Sequence, residues 1–396
     1  MPRWLLFSIF LTLALLIVGG VHFYFHLRLV RATELPPPWR TLATTLLIVA
    51  PLSFPASFML SRLLDPAIAR LVLYPIYIWT GVMLLLLSAL LCVDLARGLA
   101  WLFSRAMGRE ALFVDAAQRL MVMRVIAVGV VGLVLVATVI SVRSGLAPPA
   151  IKRVEVTLPR LPASLDGFTI VQLTDLHLGA LLGGAWFQDI VQRTLALEPD
   201  LIAITGDLAD ASPRQLEAEL EQLARLQAPQ GIFFVTGNHE YFVDHDAWMA
   251  RLDQLGIEVL HNRRVEITRG KASFDLAGVD DHEAPRFSPE YGPDVPKAMK
   301  GRDPARASVL LAHQPRAFAD ALAHDIGLVI AGHTHGGQIM PFSLLVRLQQ
   351  PLVRGLHRRG DSQIYISEGT GFWGPPMRLG TRAEITLITL RATQSP

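Results

Sequence analysis

The distribution of apolar and polar residues changes sharply near Pro148. The chain is overwhelmingly apolar before this point, whereas afterwards short apolar runs alternate with polar segments. Four apolar stretches in the first part are long enough to cross a bilayer, which takes about 20 mostly apolar residues. They are residues 4–25, 41–60, 71–93 and 125–142. We therefore predict a membrane region over residues 1–147 with about four transmembrane helices, followed by a second domain over residues 148–396.

Two of the predicted spans carry features that affect their interpretation. Arg3 precedes the first span as it would in a signal peptide, but residues 19–22 offer no small-residue cleavage site, so an uncleaved helix is expected. Pro51 and Pro55 lie within the second span and are expected to kink it, which neighbouring helices can accommodate.

Short β-branched runs in the second part are typical of buried strands. These runs are residues 168–173, 201–205, 231–235, 308–311 and 327–330. Residues 185–197 and 214–226 have the apolar spacing of helices, and residues 384–390 alternate as a closing strand would. Because strands and helices alternate, we predict a parallel or mixed sheet with helices packed on it.

The two parts of the chain differ in charge. Residues 1–150 contain 12 arginines, no lysine and 5 acidic residues, whereas the remainder contains 24 basic and 29 acidic residues. A net negative second part argues against nucleic acid as a partner, because phosphate backbones require a basic surface. Arginines after the first and third spans favour cytoplasmic loops and an extracytoplasmic second domain, although those after the fourth span oppose this bias. We predict a multi-pass protein of the cell membrane.

Side chains that can bind a metal ion follow each of the five buried strands. They are Asp175 and His177, Asp207, Asn238 and His239, His313, and His333 and His335. Loops at the carboxyl ends of strands are where open α/β sheets form their sites. Oxygen and imidazole donors without a thiolate suit Mn²⁺, Fe or Zn²⁺. Gly206, Gly237 and Gly332 each precede one of these side chains and are expected to allow a sharp turn near the metal.

The order of these motifs resembles the signature of the calcineurin-like metallophosphoesterase superfamily, and most of all its bacterial membrane-anchored branch. The signature D-x-H, G-D, G-N-H-[DE], H and G-H-x-H corresponds here to residues 175–177, 206–207, 237–240, 313 and 332–335. The resemblance covers about residues 151–396. It implies an α/β fold, an αββα sandwich of two mixed sheets flanked by helices, preceded by the all-α membrane region.

The resemblance also implies a role for each residue. One divalent ion would be bound by Asp175, His177, Asp207 and His335, and a second by Asp207, Asn238, His313 and His333. Two such ions can clamp a phosphoryl oxygen, activate water and offset charge on the leaving oxygen. His239 would protonate the leaving group, a role that suits an imidazole with an unperturbed pKa of about 6.5. Asp210 and Glu240 are predicted to orient ligands instead of binding metal.

Two further segments carry open alternatives. Asp280, Asp281 and His282 follow a short apolar run; a solvated loop is expected, with substrate contact as the alternative. Residues 340–359 are apolar with interspersed arginines. They form either an interfacial segment that guides a lipid-linked phosphate to the metals, or an amphipathic insertion packed on its own domain.

Together these features predict a membrane-anchored, metal-dependent phosphohydrolase with two divalent ions, Mn, Fe or Zn. Phosphodiester or pyrophosphate bonds of a membrane-associated, lipid-linked substrate are the expected targets. The alternative is a catalytically silent metal-binding sensor or scaffold, which the intact His239 opposes because a binding module needs no leaving-group acid. A transporter regulated by the phosphoesterase is a third hypothesis, but the predicted spans show no clear buried polar pairs to support it.

Overall fold

The computed structural model describes residues 3–63, 66–108 and 115–393 of the chain. Contacts divide the chain into two compact units, Met1–Val142 and Arg143–Pro396. The predicted domain boundary after residue 147 lies shortly beyond this division, and it stays a prediction.

The first unit contains apolar helices. They are α1 (Arg3–Phe25), α2 (Pro37–Val49), α3 (Ser53–Leu63), α4 (Pro66–Ala106) and α5 (Ala116–Gly145), the last of which runs into the second unit. Within the described residues, three helical stretches are long and apolar enough to cross a bilayer: Leu11–Arg31, Ile68–Ala106 and Ala116–Gly145. They correspond to the first, third and fourth predicted spans.

The second predicted span, residues 41–60, is not one continuous helix. A 3₁₀ turn over Ala50–Leu52 separates α2 from α3, and Pro51 lies within this turn. Proline lacks the N–H that an uninterrupted helix requires and its ring clashes with the preceding turn. The proline therefore ends α2 where a kink was expected, and a fourth membrane passage stays a prediction.

The first unit contains a half-buried polar cluster. Asp94 accepts hydrogen bonds from the Tyr24 hydroxyl at 2.7 Å and from Arg28 at 2.5 Å, and Arg97 lies 3.6 Å away. Tyr24 and Arg28 belong to a different helical stretch from Asp94, so their pairing could not be inferred from spacing along the chain. Pairing of this kind is how ionisable groups are accommodated in apolar helices.

The second unit is built on two six-stranded sheets. Its strands are β1 (Ala150–Leu158), β2 (Thr169–Leu173), β3 (Leu201–Thr205), β4 (Ile232–Val235), β5 (Glu258–Val259), β6 (Arg263–Arg269), β7 (Ala272–Gly278), β8 (Ser308–Leu311), β9 (Leu328–Ala331), β10 (Gly355–Arg359), β11 (Ser362–Ile366) and β12 (Glu384–Ala392). The strand orders are β1-β12-β2-β3-β4-β5 and β10-β11-β9-β8-β7-β6.

Both sheets are mixed, as the sequence predicts. In the first sheet β2, β3, β4 and β5 are parallel and β12 runs antiparallel to β2. In the second sheet β7, β8, β9 and β11 are parallel, with β6 and β10 antiparallel at the edges. The central strands are buried on both faces, which explains their nearly continuous apolar sequences.

Three apolar clusters arrange the second unit in layers. The first fills the space between the sheets, where Phe168 and Phe274 pack edge to face at 5.2 Å between ring centroids. The second lies between the first sheet and the helices on its outer face. The third lies between the second sheet and the helices on its outer face. The helices of this unit are α6 (Ala185–Leu195), α7 (Glu217–Leu223), α8 (Asn238–Val243), α9 (His245–Gln254), α10 (Val295–Ala298), α11 (Ala317–Ala323) and α12 (Phe342–Gln349). The αββα sandwich is confirmed.

Candidate metal centre

The loops that follow β2, β3, β4, β8 and β9 meet at one edge of the sandwich. A carboxylate from the first sheet contacts a loop of the second, because Asp175 accepts a hydrogen bond from the backbone N–H of His333 at 3.0 Å. A side chain from the second sheet reaches back, since His313 Nδ1 donates to the carbonyl of Thr205 at 2.8 Å. The facing edges of the two sheets thus build one site.

The predicted ligands form two groups of three. Asp175, His177 and His335 make one group and Asp207, His313 and His333 the other, with the ligand atoms of each group within 4.8 Å of one another. In the first group, His335 Nε2 lies 3.2 Å from His177 Nε2 and 3.5 Å from Asp175 Oδ1.

Asp207 lies between the two groups. Its Oδ2 is 3.1 Å from His313 Nε2 and 3.9 Å from His177 Nε2. His313 Nε2 is also 3.1 Å from His333 Nδ1, which completes the second group. A single carboxylate oxygen therefore faces imidazoles of both groups, which is the position that a bridging ligand requires.

The hydrogen bonds around these side chains leave lone pairs directed inward. His177 Nδ1 lies 2.9 Å from Asp210 Oδ1 and must donate to it, so His177 Nε2 carries a lone pair. His313 Nδ1 donates to Thr205, so its Nε2 is the nitrogen directed towards Asp207 and His333. The buried Asn238 Oδ1 has no hydrogen-bond partner among the residues described. Convergent lone pairs of nitrogen and oxygen are what a cation satisfies, so these residues fit a pair of divalent ions.

In the second group, the carboxylate of Asp207 and the imidazole of His313 stabilise each other's charged forms. Burial opposes ionisation of both Asp207 and His313, but their mutual attraction outweighs it. The pKa of Asp207 is therefore held well below its usual value and that of His313 well above its own. Burial, together with the nearby charge of His313, lowers the pKa of His333 to about 3, so this imidazole stays neutral and able to bind a metal.

His239 lies beside both groups and shares a partner with His177. Its Nδ1 is 2.7 Å from Asp210 Oδ1, the same oxygen that His177 contacts, and its Nε2 is 3.9 Å from Asp207 Oδ2. Burial alone would lower the pKa of His239, but the charges of Asp207 and Asp210 raise it to about 9. The two carboxylates therefore favour the protonated ring. Asp210 contacts both histidines, which is the position that the orienting role predicted for it requires.

Glu240 holds the loops after β3 and β4 together. Its carboxylate accepts backbone N–H groups from Gly237 at 2.7 Å, Leu208 at 2.8 Å and Asp207 at 3.1 Å. Burial and the neighbouring charge of Asp207 raise the pKa of Glu240 to about 7. This residue supports the backbone around Asp207.

Five of the seven predicted ligands have a left-handed backbone. Their φ values are 54° for Asp175, 48° for His177, 51° for Asp207, 70° for His333 and 48° for His335. Residues other than glycine rarely adopt this conformation, and it persists only where the surrounding structure enforces it. Such a concentration of strained residues is typical of functional sites.

The comparisons with known proteins agree with this geometry. The family described as "Calcineurin-like phosphoesterase" matches residues 168–337. A zebrafish (Danio rerio) relative, "Transmembrane protein with metallophosphoesterase domain", is 37% identical over 319 residues, which cover 78% of this chain and 72% of the relative. The chain belongs to the calcineurin-like metallophosphoesterase family. It is accordingly a metal-dependent phosphoesterase, and this family uses a dinuclear centre of divalent ions.

Other relatives extend the similarity to cattle and to bacteria. A Bos taurus protein with the same name as the zebrafish one is 39% identical over 305 residues, covering 74% of this chain and 67% of the relative. An "Uncharacterized metallophosphoesterase" of Helicobacter pylori is 39% identical over 248 residues, covering 62% of this chain and 65% of the relative. Relatives named as transmembrane proteins and the apolar helices of the first unit together indicate membrane association of this metallophosphoesterase.

A sixth strand end, which the sequence motifs do not include, supports the metallophosphoesterase centre. The loop after β11 pairs with the first ligand loop, because Thr370 N donates to the Thr174 carbonyl at 2.8 Å and Gly371 N to the Asp175 carbonyl at 2.9 Å. The buried Arg378 donates to the carbonyls of this loop, and burial lowers its pKa to about 10. The signal in the sequence is the Gly-Thr-Gly run at residues 369–371, which two residues separate from the apolar run at residues 364–366.

The expectation of a solvated loop over residues 280–282 is wrong. Asp280 and Asp281 are buried and bonded to the protein. Asp281 accepts two hydrogen bonds from the side-chain amide of Gln314, at 3.0 and 3.1 Å, and Asp280 lies 2.7 Å from His261 Nδ1. The reason is that β7 lies next to β8 in the second sheet, so its end packs against the loop that carries His313 and Gln314.

Two glycines that precede predicted ligands, Gly206 and Gly237, exclude a side chain for different reasons. Gly206 has a φ of +87°, and a Cβ there would lie 2.6–2.7 Å from the backbone of Gly237 and from His313 Nδ1. Gly237 has an ordinary φ of −97°, so its backbone would suit other residues. A side chain at this position would overlap Asp207.

Replacing Gly206 with Ala is expected to lower the melting temperature of the protein markedly and to reduce metal binding. The new Cβ would push the loop of Asp207 away from that of Gly237, in addition to the cost of about 1–2 kcal/mol for a left-handed residue with a side chain. Gly256→Ala is the matched control, since Gly256 has a φ of +70° and open space around it. Thermal unfolding should show a loss for Gly206→Ala at least about 2 kcal/mol larger than for the control; equal losses would contradict the close packing at Gly206.

Proposed function

We propose that this metallophosphoesterase hydrolyses phosphodiester or pyrophosphate bonds of a membrane-associated substrate. The observation that carries the proposal is the arrangement of two donor groups around Asp207, with the imidazole of His239 beside them. One ion would be bound by Asp175, His177, Asp207 and His335, and the other by Asp207, Asn238, His313 and His333. The nitrogen and oxygen donors suit Mn, Fe or Zn.

The ions would supply Lewis acidity to the phosphoryl oxygen and lower the pKa of the attacking water. The protein supplies the rest of the chemistry. His239 donates its Nδ1–H to Asp210, so the proton available for the leaving oxygen is the one on Nε2, the nitrogen that faces Asp207. The carboxylates of Asp207 and Asp210 raise the pKa of His239 and so favour the protonated ring that a leaving-group acid requires.

A lipid-linked phosphoester is the substrate class that best fits a catalytic domain attached to membrane helices. The second unit is joined directly to α5, one of the three helices long enough to cross a bilayer among the described residues. With four passages, the arginine-rich loops after the first and third predicted spans lie on the same side and favour an extracytoplasmic catalytic domain, whereas the basic residues after the fourth span oppose this orientation. An alkaline-phosphatase fusion after Pro148 should then be active, and an inactive fusion would reverse this orientation.

The alternative of a silent metal-binding sensor has less support. A sensor has no use for an imidazole placed next to the predicted metal ligands without being one of them, or for the carboxylate of Asp210 that contacts it. Turnover of a phosphoester by the metallated protein would exclude it.

Removal of metal is expected to abolish hydrolysis. The full chain, purified in detergent, should cleave bis(p-nitrophenyl) phosphate, lose this activity to the background rate after treatment with EDTA, and regain it with about two equivalents of Mn²⁺. The same preparation, tested against an aryl phosphomonoester and a lipid-linked pyrophosphate, defines the bond type. A folded protein with two bound ions that is inert towards every phosphoester would overturn the proposed function, as would activity that survives complete removal of metal.

A further inference from the structure

Helix α12 exposes its apolar side chains. None of its residues is buried, and Leu344, Leu345 and Leu348 are 57%, 54% and 81% exposed. Residues three and four positions apart share a face of a helix, so these leucines form one stripe. Ser343 and Val346, which are less exposed, lie on the opposite side. A helix packed on its own domain would direct the apolar stripe inward, so this arrangement is the reverse of the usual one.

The segment around α12 is basic. Residues 340–360 contain four arginines and no acidic residue. Arg347, on α12 itself, and Arg359 are exposed, and neither forms an ion pair within the part of the chain that the structure describes. Arg354, by contrast, pairs with Glu368 at 3.2 Å and serves the fold. An apolar helical stripe flanked by arginine is typical of helices that lie in the headgroup region of anionic bilayers.

The segment that precedes α12 is hydrogen-bonded to Trp373, an exposed aromatic residue next to His239. The side chain of Gln338, just before α12, donates to the Trp373 carbonyl at 2.9 Å and accepts from the Trp373 N–H at 3.0 Å. The Trp373 side chain is 55% exposed, and its ring centroid lies 6.2 Å from that of His239. Phe242, 57% exposed, lies 5.6 Å from the His239 ring. Exposed aromatic rings therefore border the imidazole that faces the leaving group.

We propose that α12 docks into the surface of a bilayer that contains anionic phospholipids, and that Trp373 and Phe242 receive the apolar part of a lipid phosphoester drawn from it. The substrate part rests on the proposed function, whereas docking of α12 does not. The chain itself supplies the argument for a bilayer. Helix α5 ends at Gly145 and β1 begins at Ala150, so a short linker joins the catalytic domain to a helix long enough to cross a bilayer. This tether raises the effective concentration of the membrane surface for α12.

Fluorescence quenching in the full chain tests the docking directly. A bimane label on Gln349→Cys, in a Cys92→Ser background, reports on α12 without altering the leucine stripe, because Gln349 is exposed next to it. The protein is reconstituted into vesicles of phosphatidylcholine and phosphatidylglycerol that carry brominated acyl chains. We expect strong quenching of this label, and weaker quenching when phosphatidylglycerol is left out.

Two controls identify the cause of any quenching. A label at Lys271→Cys, on the exposed turn between β6 and β7, should be quenched little. Changing Leu344, Leu345 and Leu348 together to Gln should remove the quenching at position 349, since the stripe supplies the insertion energy. Equal quenching at positions 349 and 271 would overturn the proposal. Efficient crosslinking between two Gln349→Cys chains, without quenching, would assign the stripe to a second copy and overturn it as well.

Delivery of a lipid phosphoester by α12 is tested by a separate kinetic measurement. The rate on a vesicle-borne phosphodiester lipid, divided by the rate on bis(p-nitrophenyl) phosphate, should fall roughly tenfold in the triple Gln variant and stay unchanged in Lys271→Gln. Quenching without any turnover of lipid phosphoesters would leave α12 as a docking helix and would refute the membrane-associated substrate. An unchanged ratio in the triple variant would refute delivery of substrate by α12.

Discussion

Asp207→Asn is expected to lower kcat/KM by about 10³-fold, equivalent to about 4 kcal/mol of transition-state stabilisation. Asn preserves the shape of the side chain. Its side-chain oxygen can still accept the hydrogen bond from the backbone N–H of His239, which is 2.9 Å long in the structure. It removes the negative charge that faces His313 and His177, and with it the one oxygen positioned between the two donor groups. The metal content should fall from two ions per chain to one or fewer.

The measurements are steady-state kinetics on bis(p-nitrophenyl) phosphate and elemental analysis of the purified full chain. Asp189→Asn is the matched control, because Asp189 lies on α6 with a half-exposed carboxylate that pairs only loosely, at 3.7 Å, with Arg193. The control should retain wild-type metal content and activity. Two tightly bound ions together with near-normal turnover in Asp207→Asn would contradict a bridging role for this carboxylate.

The strands that carry the site could be predicted from the sequence because they are buried on both faces. The run at residues 201–205 coincides with β3, and residues 308–311 coincide with β8. A continuous β-branched or aliphatic run of this length, bounded by polar residues or glycine, is typical of a buried strand and too short for most helices. The order of the motifs could also be predicted, because it depends only on the sequence.

Pairing between distant strands could not be predicted in the same way. The closing strand β12 lies between β1 and β2 in the first sheet, parallel to one and antiparallel to the other, although more than 200 residues separate it from both. The hairpins β6–β7 and β10–β11 could not be predicted either, because β6 and β10 are edge strands rich in polar, exposed or half-buried residues and give little apolar pattern.

Within the site, contacts between residues far apart in sequence explain what the motifs left out. The sequence predicts that Asp210 orients a histidine, but only the fold places His177 and His239 on the same carboxylate oxygen. Likewise, Thr370 and Arg378 follow no motif, and their proximity to the loop of Asp175 depends on the position of β11 next to β9. Roles that arise from three-dimensional neighbours require the structure.

His239→Gln is expected to lower kcat by about 10²–10⁴-fold, the usual contribution of a general acid, without loss of bound metal. The deficit should depend on the leaving group. A p-nitrophenolate ion departs readily without a proton, whereas an alkoxide requires one from His239 Nε2, so an alkyl diester should suffer much more than an aryl diester. His324→Gln, which alters a histidine bonded to the Asp320 carbonyl at the end of α11, is the matched control and should change neither rate.

The dependence on leaving group separates proton donation from the other roles that His239 could have. A metal ligand would lose an ion on substitution, which elemental analysis detects. A residue that only positions the phosphoryl group would slow aryl and alkyl substrates by the same factor, and that result would refute the assignment of His239 as the acid. Asp210→Asn should reproduce the leaving-group dependence in weaker form, because it releases the His239 ring without removing it, and it should also weaken metal binding through His177.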